Sequence, residues 1–278
     1  MTDPIIPLEF SKRHVLIFGG TTGINLGIAQ AFHARGANVV VASRKPENVA
    51  AAVATMQGAN PAHGVVADIR DDAAVERAVA EAVARFGTIH VLIQGAAGNF
   101  LAAAKDLSSN GFKVVVDIDL NGTFHVMRRA YPHLAKPGAA VINISAPQSF
   151  VPVRWQVHVC AAKAGVDQIT RVLALEWGPD GIRVNSISPG PIAGTEGVKR
   201  LMPGGDEGVA LAEKHVPLGR MGEKSDIANL ALFLASPYAS YLSGAVIPCD
   251  GGGAFESVKI SIEAAGSAFA AAAAAAKN

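Results

Sequence analysis

The chain has 278 residues, half of them hydrophobic, enough to bury the core of one large α/β domain or two small ones. A formal net charge of +1 gives no reason to expect nucleic acid or an anionic membrane as a partner, although a local basic cluster could still hold an anionic ligand. Two cysteines, Cys160 and Cys249, make no disulfide framework, so a reducing compartment is the default.

The N-terminus lacks the charged-then-apolar form of a signal peptide, and no apolar run reaches the ~18 residues of a membrane span. The chain ends Lys277-Asn278 rather than in a Ser-Lys-Leu type of address, so the expected location is cytoplasmic.

Apolar runs alternate with longer helical patterns, which predicts an α/β fold with a doubly wound parallel sheet. Val15–Phe18 reads as the first strand, followed by a Gly-rich turn and a helix to about Arg35 capped by Gly36. Asn38–Ala42 is a strand, 46–56 a helix and Gly64–Ala67 a third strand. Asp71 and Asp72 open a helix to Phe86, where carboxylates favour the first turn. Ile89–Ile93 is strand four, two helical stretches lie between 105 and 135, and Ala139–Ile144 is strand five. A long helix over 156–177 precedes a strand at Ile182–Ser186.

Residues 190–221 are rich in Gly and Pro and read as a lid with short helices, with Gly190, Gly194, Gly197, Gly204 and Gly205 as flexible points. A helix over 223–235 and a strand at Ala245–Pro248 complete the pattern. With no linker and no internal repeat, one domain is expected over 1–255, followed by an Ala-rich tail over 256–278.

Gly19-Gly20-Thr21-Thr22-Gly23-Ile24 lies between a strand and a helix. Missing side chains let backbone approach a pyrophosphate, and the helix N-terminus adds a favourable dipole. A tight structural turn would use the same residues, and Asn25 stands where the usual fingerprint has another Gly.

Strand two ends Ala42-Ser43-Arg44-Lys45. An acidic residue there would hold a ribose 2′-hydroxyl, whereas Arg presents a fork that suits a 2′-phosphate, so NADP(H) is favoured over NAD(H) unless Arg44 is only a solvated surface residue. Asp68 either faces an adenine or caps the helix that starts at Asp71.

The segments Gly19–Gly23, Asp68-Ile69, Ala96-Ala97-Gly98, Asn143-Ile144-Ser145, Lys163, Arg183-Val184-Asn185-Ser186 and Pro189-Gly190-Pro191 occur in the order seen in short-chain dehydrogenases/reductases. The chain resembles that family over roughly residues 10–253, which implies a seven-stranded doubly wound Rossmann-like sheet. The resemblance assigns cofactor contacts to Gly19, Gly20, Thr21, Thr22, Gly23, Ile24, Ser43, Arg44, Lys45, Asp68, Ile69, Ala96, Lys163, Pro189, Gly190, Ile192 and Thr195. It also implies a homo-oligomer, commonly a tetramer.

A narrower match runs through Ala96–Phe100, Asp117–Phe124, Ala174–Pro179 and Gly190–Gly197, which resemble 2,4-dienoyl-CoA reductases, the peroxisomal type above all.

Ordinary family members use an Asn, a Ser, a Tyr and a Lys. Counting back from Lys163, the Tyr position is Val159, the Ser position is Ala146 and the Asn position is Asp119. Valine has no proton to give, and a ketone reduction needs an acid at the carbonyl oxygen. A conjugated thioester is less demanding: hydride enters the far end of the conjugated system and charge spreads to the thioester oxygen, which the site must stabilise before carbon is protonated.

The dienoyl-CoA reductase resemblance implies that Asp119 and Lys163 are the catalytic pair, working with an ordered water. The competing reading makes them a buried structural pair. His158 reads as packing or as a supporting donor. The same resemblance assigns acyl-CoA contacts to Arg44, Arg70, Phe100, Ser108, Ser109, Asn110 and Arg200, with Arg70 and Arg200 otherwise plain surface charges. No metal site is read.

The function implied is NADPH-dependent reduction of 2,4-dienoyl-CoA to 3-enoyl-CoA in β-oxidation of unsaturated chains. The alternatives are a 3-oxoacyl thioester or other carbonyl reductase of the same fold, or a non-catalytic NADP(H)-binding protein.

Overall fold

The computed structural model describes residues 8–201 and 213–255. Seven strands form one sheet: β1 (His14–Phe18), β2 (Asn38–Ser43), β3 (His63–Val66), β4 (Val91–Gln94), β5 (Ala140–Ile144), β6 (Arg183–Pro189) and β7 (Val246–Cys249). The order is β3-β2-β1-β4-β5-β6-β7, and every neighbouring pair is parallel. The helices are α1 (Gly23–His33), α2 (Pro46–Ala54), α3 (Asp72–Phe86), α4 (Ser109–Val116), α5 (Gly122–Ala130), α6 (Val157–Trp177), α7 (Glu196–Leu201) and α8 (Lys224–Ala235). This is the seven-stranded, doubly wound sheet that the alternating pattern predicts.

The strands alternate strictly between two cores. Val15 and Ile17 of β1 share one with Ile28 and Phe32 of α1 and Ala231 and Leu232 of α8. Leu16 and Phe18 share the other with Val75 and Val79 of α3 and Val126 and Met127 of α5. Successive side chains leave a strand on opposite faces, and helices cover both, so every residue of β1 is buried. Each such large side chain contributes about 1.5–3 kcal/mol on burial.

Several boundaries move from their expected positions, each for a local reason. Ile89 is not in β4; it makes an isolated bridge with Leu134, and its N–H donates to the His133 carbonyl at 2.9 Å. Helix α1 ends at His33 with Ala34 as its cap, and Gly36, at φ +81°, turns the chain after the helix instead of capping it. Asp71 is itself the cap of α3, its carboxylate accepting from the N–H groups of Ala73 and Ala74 at 3.0 and 3.2 Å. Asp68 therefore does not cap that helix.

The two stretches expected between 105 and 135 are one helical run that starts at Ser109. Ser108 caps it, its hydroxyl accepting from Gly111 N–H at 3.0 Å. A wide π-helical turn, Asp117–Asn121, joins α4 to α5. Within the expected lid Glu196–Leu201 form α7, while 202–212, with Gly204 and Gly205, and the tail 256–278 lie outside the described residues.

Candidate active site

The sheet reverses its winding between β1 and β4, where open α/β sheets bind ligands beyond the carboxyl ends of their strands. Gly19 leaves β1 at φ +76°, and a Cβ there would meet the Ala96 backbone nitrogen, just beyond β4, at 2.6 Å. Only a residue without a side chain lets these two strand ends approach so closely. Asn25 clasps the same junction from the first turn of α1, donating from Nδ2 to the Gly95 carbonyl at 2.8 Å. That bond accounts for an asparagine where the fingerprint would have glycine.

Two cavities, of about 840 and 560 Å³, open at this edge and share Thr22, Asn25, Gly98 and Asn99 in their walls. The smaller is lined by Gly19, Thr21, Ser43, Arg44, Lys45, Asp68, Ile69 and Ala96. The larger is lined by Gly23, Ile24, Lys163, Pro189, Gly190, Ile192 and Thr195. The structure thus brings together every residue expected to contact the cofactor except Gly20. A Cβ on Gly20 would meet Val41 Cγ1 at 2.9 Å, so this glycine packs beneath the turn, against β2, and lines neither cavity. The glycine cradle at a helix N-terminus, with Ser43 and Arg44 at its far end, fits a dinucleotide phosphate.

Asp119 sits in the π-helical turn and is 1% exposed. Its Oδ1 accepts from Gly98 N–H at 2.7 Å, and its Oδ2 has no hydrogen bond but lies 3.5 Å from Lys163 Nζ. Lys163, 6% exposed on α6, also donates to the Ile144 carbonyl at 3.0 Å. Both residues line the larger cavity. Burial pushes the Asp119 carboxyl above the usual carboxylate range, outweighing the opposing effects of the Lys163 charge and the Gly98 N–H. The contest between desolvation and the ammonium, open at the level of sequence, thus goes to desolvation.

Val159 lines the cavity and is buried with Val115 and Ala162. Ala146 lines it as well, while the Ser145 hydroxyl is covered and has no partner. Among the described residues no tyrosine lines either cavity. Tyr131 donates to Asp180 at 2.5 Å, and Tyr238 and Tyr241 are exposed. His158 is fully buried against the Phe100 ring, centroids 4.4 Å apart, and neither ring nitrogen has a partner. Burial holds its imidazole below the ordinary value, against the pull of the Phe100 backbone and the Asp119 charge.

The residues expected to hold the acyl-CoA are only partly gathered. Arg44 lines the smaller cavity. Arg70 lines neither; it folds onto Asp68, Nη2 to Oδ2 at 2.5 Å, and this guanidinium holds the Asp68 carboxyl below its ordinary range. Phe100 lines neither cavity; its ring packs on His158. Ser108, Ser109 and Asn110 are exposed at the start of α4, away from both cavities, because Ser108 is engaged as a helix cap. Arg200 lies on α7, and its side chain is outside the described residues.

Sequence reasoning passed over four residues of the cavity region. They are Asn99 and Gln148 in the wall, Gln156 behind them, and His215 opposite. Nothing in a linear pattern joins Asn99 to Gln156, 57 residues away.

A Gly-rich turn at the switch point and a buried Lys facing a buried carboxyl in the same cavity fit a dehydrogenase/reductase of the short-chain type. Residues 19–254 match the family model described as "Enoyl-(Acyl carrier protein) reductase", and the chain belongs to the short-chain dehydrogenase/reductase family, an oxidoreductase fold built around a nicotinamide cofactor.

Its relatives are more specific. A peroxisomal 2,4-dienoyl-CoA reductase [(3E)-enoyl-CoA-producing] of Pongo abelii is 46% identical over 85% of this chain and 82% of its own. A probable 2,4-dienoyl-CoA reductase [(2E)-enoyl-CoA-producing] of Bacillus subtilis is 40% identical over 87% of this chain and 96% of its own. Among solved structures, a short chain dehydrogenase from Bacillus anthracis superposes with a TM-score of 0.79 at 36% identity, covering 87% of this chain and 96% of that one.

Proposed function

We propose that the chain reduces 2,4-dienoyl-CoA thioesters to 3-enoyl-CoA with NADPH, as a step in β-oxidation of unsaturated acyl chains. The observation that carries this reading is the buried Asp119–Lys163 pair in a cavity whose wall offers Val159 where the family's phenol would stand. Relatives named as 2,4-dienoyl-CoA reductases support the substrate class. Ser43 and Arg44 in the smaller cavity support a 2′-phosphate on the cofactor.

When bound, the dihydronicotinamide supplies a hydride, here to C5 of the diene. The C4=C5 electron pair moves to C3=C4, and the C2=C3 pair moves toward the thioester, leaving charge on its oxygen. Lys163 places a fixed positive charge beside that oxygen, and a low-dielectric, water-poor cavity strengthens the effect. Asp119, its proton affinity raised by burial, holds a proton that reaches C2 through a water. The product keeps one double bond, between C3 and C4. Ile192, Thr195, Val198 and Val216, from the described residues after β6, wall the cavity and shield it from bulk water. At the far end, Arg44 and, once released from Asp68, Arg70 meet the phosphates of coenzyme A.

The exposed apolar side chains Phe124, Val172 and Leu175 on α5 and α6 support a homo-oligomer, and a monomer by light scattering would contradict it.

The test is NADPH loss with 2,4-hexadienoyl-CoA or acetoacetyl-CoA. Oxidation with the diene alone, with a 3-enoyl product by NMR, is the expected result. Turnover of the ketone would instead indicate a 3-oxoacyl reductase. Tight NADPH binding with no turnover of either would indicate a non-catalytic binding protein.

A further inference from the structure

Asp167 follows Lys163 by four residues on α6, so the two side chains lie on one face, a turn apart. Asp167 is 3% exposed, and its Oδ1 is covered and without a partner. Among the described residues its carboxyl makes no hydrogen bond and no ion pair. The mechanism above gives this buried acid no part.

The same face of α6 packs on a polar seam. On that side of β5 and β6, Val141 and Val184 are apolar, but toward the cavity Asn143 pairs with Ser186, and Ser145 and Ser188 follow. Thr170 accepts from Asn143 Nδ2 at 2.8 Å and lies 2.8 Å from Ser186 Oγ. Asn143 Oδ1, Ser145 Oγ and Ser188 Oγ are covered and unpartnered. The seam offers dipoles to an anion but no counter-charge.

A buried carboxylate is costly without a counter-charge. Arg171, a turn further along α6, is exposed, and its guanidinium donates to Gln168 at 3.4 Å. Arg183 of β6 points to the other face of the sheet, where it donates to the Ser236 carbonyl at 3.3 Å. At the end of β7, the Cys249 thiol lies against the Asp226 carbonyl, and Asp250 accepts from the N–H groups of Gly252 and Ala254. Lys113 of α4 is exposed and bound to Asp117. Burial disfavours a charge on His158. Among the described residues Lys163 is thus the cation that shares the buried face with Asp167.

Lys163 also faces Asp119, from the π-helical turn. Two carboxylates beside one ammonium would leave the trio with a net negative charge in a water-poor setting. The mechanism requires Asp119 to be the carboxyl that keeps a proton, and the trio is then neutral only if Asp167 is the anion.

We propose that Asp167 is the counter-charge of Lys163, a positioning residue that keeps the ammonium in place while Asp119 carries the proton destined for C2. The inference rests on the dienoyl-CoA reading above. The charge on Asp167 also opposes a second negative charge on Asp119, so the two carboxyls are coupled through one proton.

The experiment follows kcat against pH, from about 5 to 9, with NADPH and 2,4-hexadienoyl-CoA for wild type, Asp167→Asn and Asp167→Glu. Removing the negative charge makes ionised Asp119 less unfavourable, so in Asp167→Asn the fall in kcat with rising pH should begin about one unit lower. Activity at pH 8 is then about tenfold below wild type, while near pH 5.5 the two agree within about threefold. Asp167→Glu restores the charge and brings the limb back toward wild type. A purely structural Asp167 would change Tm and leave the limb in place, and an unmoved limb in Asp167→Asn overturns the proposal.

Carboxyl ¹³C titration of the wild-type protein, with Asp119→Asn for assignment, gives the same answer should Asp167→Asn not fold. Asp167 is expected to lose its proton at lower pH than Asp119, and the reverse order overturns the proposal. If wild type does not oxidise NADPH with the diene, the functional reading falls, and the order of carboxyl titration still decides the pairing of Asp167 with Lys163.

Discussion

Asp119 Oδ2 and Lys163 Nζ lie 3.5 Å apart in a site where their side chains are 1% and 8% exposed, yet no hydrogen bond joins them. The buried Oδ2 thus keeps an unmade hydrogen bond beside the ammonium, and the proposed proton path begins from this carboxyl. Asp119→Ala is expected to lower kcat by on the order of 10²–10⁴-fold while NADPH affinity is nearly unchanged. A wild-type rate in this variant, measured by stopped-flow, would sink the mechanism. The pH dependence has a definite sign. The carboxyl is raised above the ordinary range, so its protonated form survives to higher pH than that of a solvated Asp. As the acid, it makes kcat fall as pH rises through its pKa, and Asp119→Asn removes that limb.

Arg44 stands at the end of β2, exposed and lining the smaller cavity with Ser43. Replacing it with Asp places an acceptor for a ribose hydroxyl where a phosphate would sit. The ratio of kcat/KM for NADPH over NADH should fall by about tenfold or more, the scale of one charge-assisted hydrogen bond of about 1.5–3 kcal/mol. An unchanged ratio would mean that Arg44 is a surface residue.

Gly19 carries both a left-handed backbone and a close approach to Ala96. Gly19→Ala should cost about 1–3 kcal/mol through strain and the forced movement of the β4 end. Differential scanning calorimetry should show Tm lowered by about 2–4 °C per kcal/mol, with NADPH binding weakened in parallel. A variant as stable as wild type would mean that this junction yields freely.

His14 at the start of β1 is fully buried, its Nδ1 2.8 Å from the Gly87 carbonyl, and its backbone N–H donates to His90 Nδ1 at 3.1 Å. Burial lowers both imidazoles, and for His14 it outweighs the raising effect of the Gly87 carbonyl. The unfolded chain therefore takes up protons at higher pH than the folded one. Stability is full above about pH 6.5 and is lost as pH falls from there through the folded-state values. Melting temperatures between pH 8 and 5 should decline, and less steeply in His14→Asn. A flat profile in wild type would contradict the assignment.

The sheet was legible in the sequence because burial on both faces forces continuous apolar strands, and β1, β2 and β5 carry that signature plainly. The Gly-rich turn and Lys163 were legible because their chemistry depends on near neighbours in the chain. What the sequence could not reveal are relations set by packing between distant segments. Asn25 reads as a broken fingerprint until Gly95 is beside it. Arg70 reads as a free cation until its carboxylate partner, two residues away, turns onto it. Gln156 has no visible role until Asn99 and Gln148 arrive from two other loops. Whether Asp119 binds its proton loosely or tightly depends on how much water burial removes, which no spacing of residues encodes.

The wide turn at Asp117–Asn121 has a bearing on how this protein can be compared and rebuilt. A π turn accommodates one residue beyond the α-helical repeat. A single-codon deletion within it would regularise the coil and swing the flanking side chains by about 100° relative to each other. Such a change would leave composition and hydropathy nearly intact while turning Asp119 out of its niche. Chimeras with relatives should therefore exchange this segment whole, and gaps placed here in pairwise alignments carry more functional weight than gaps in the surface loops.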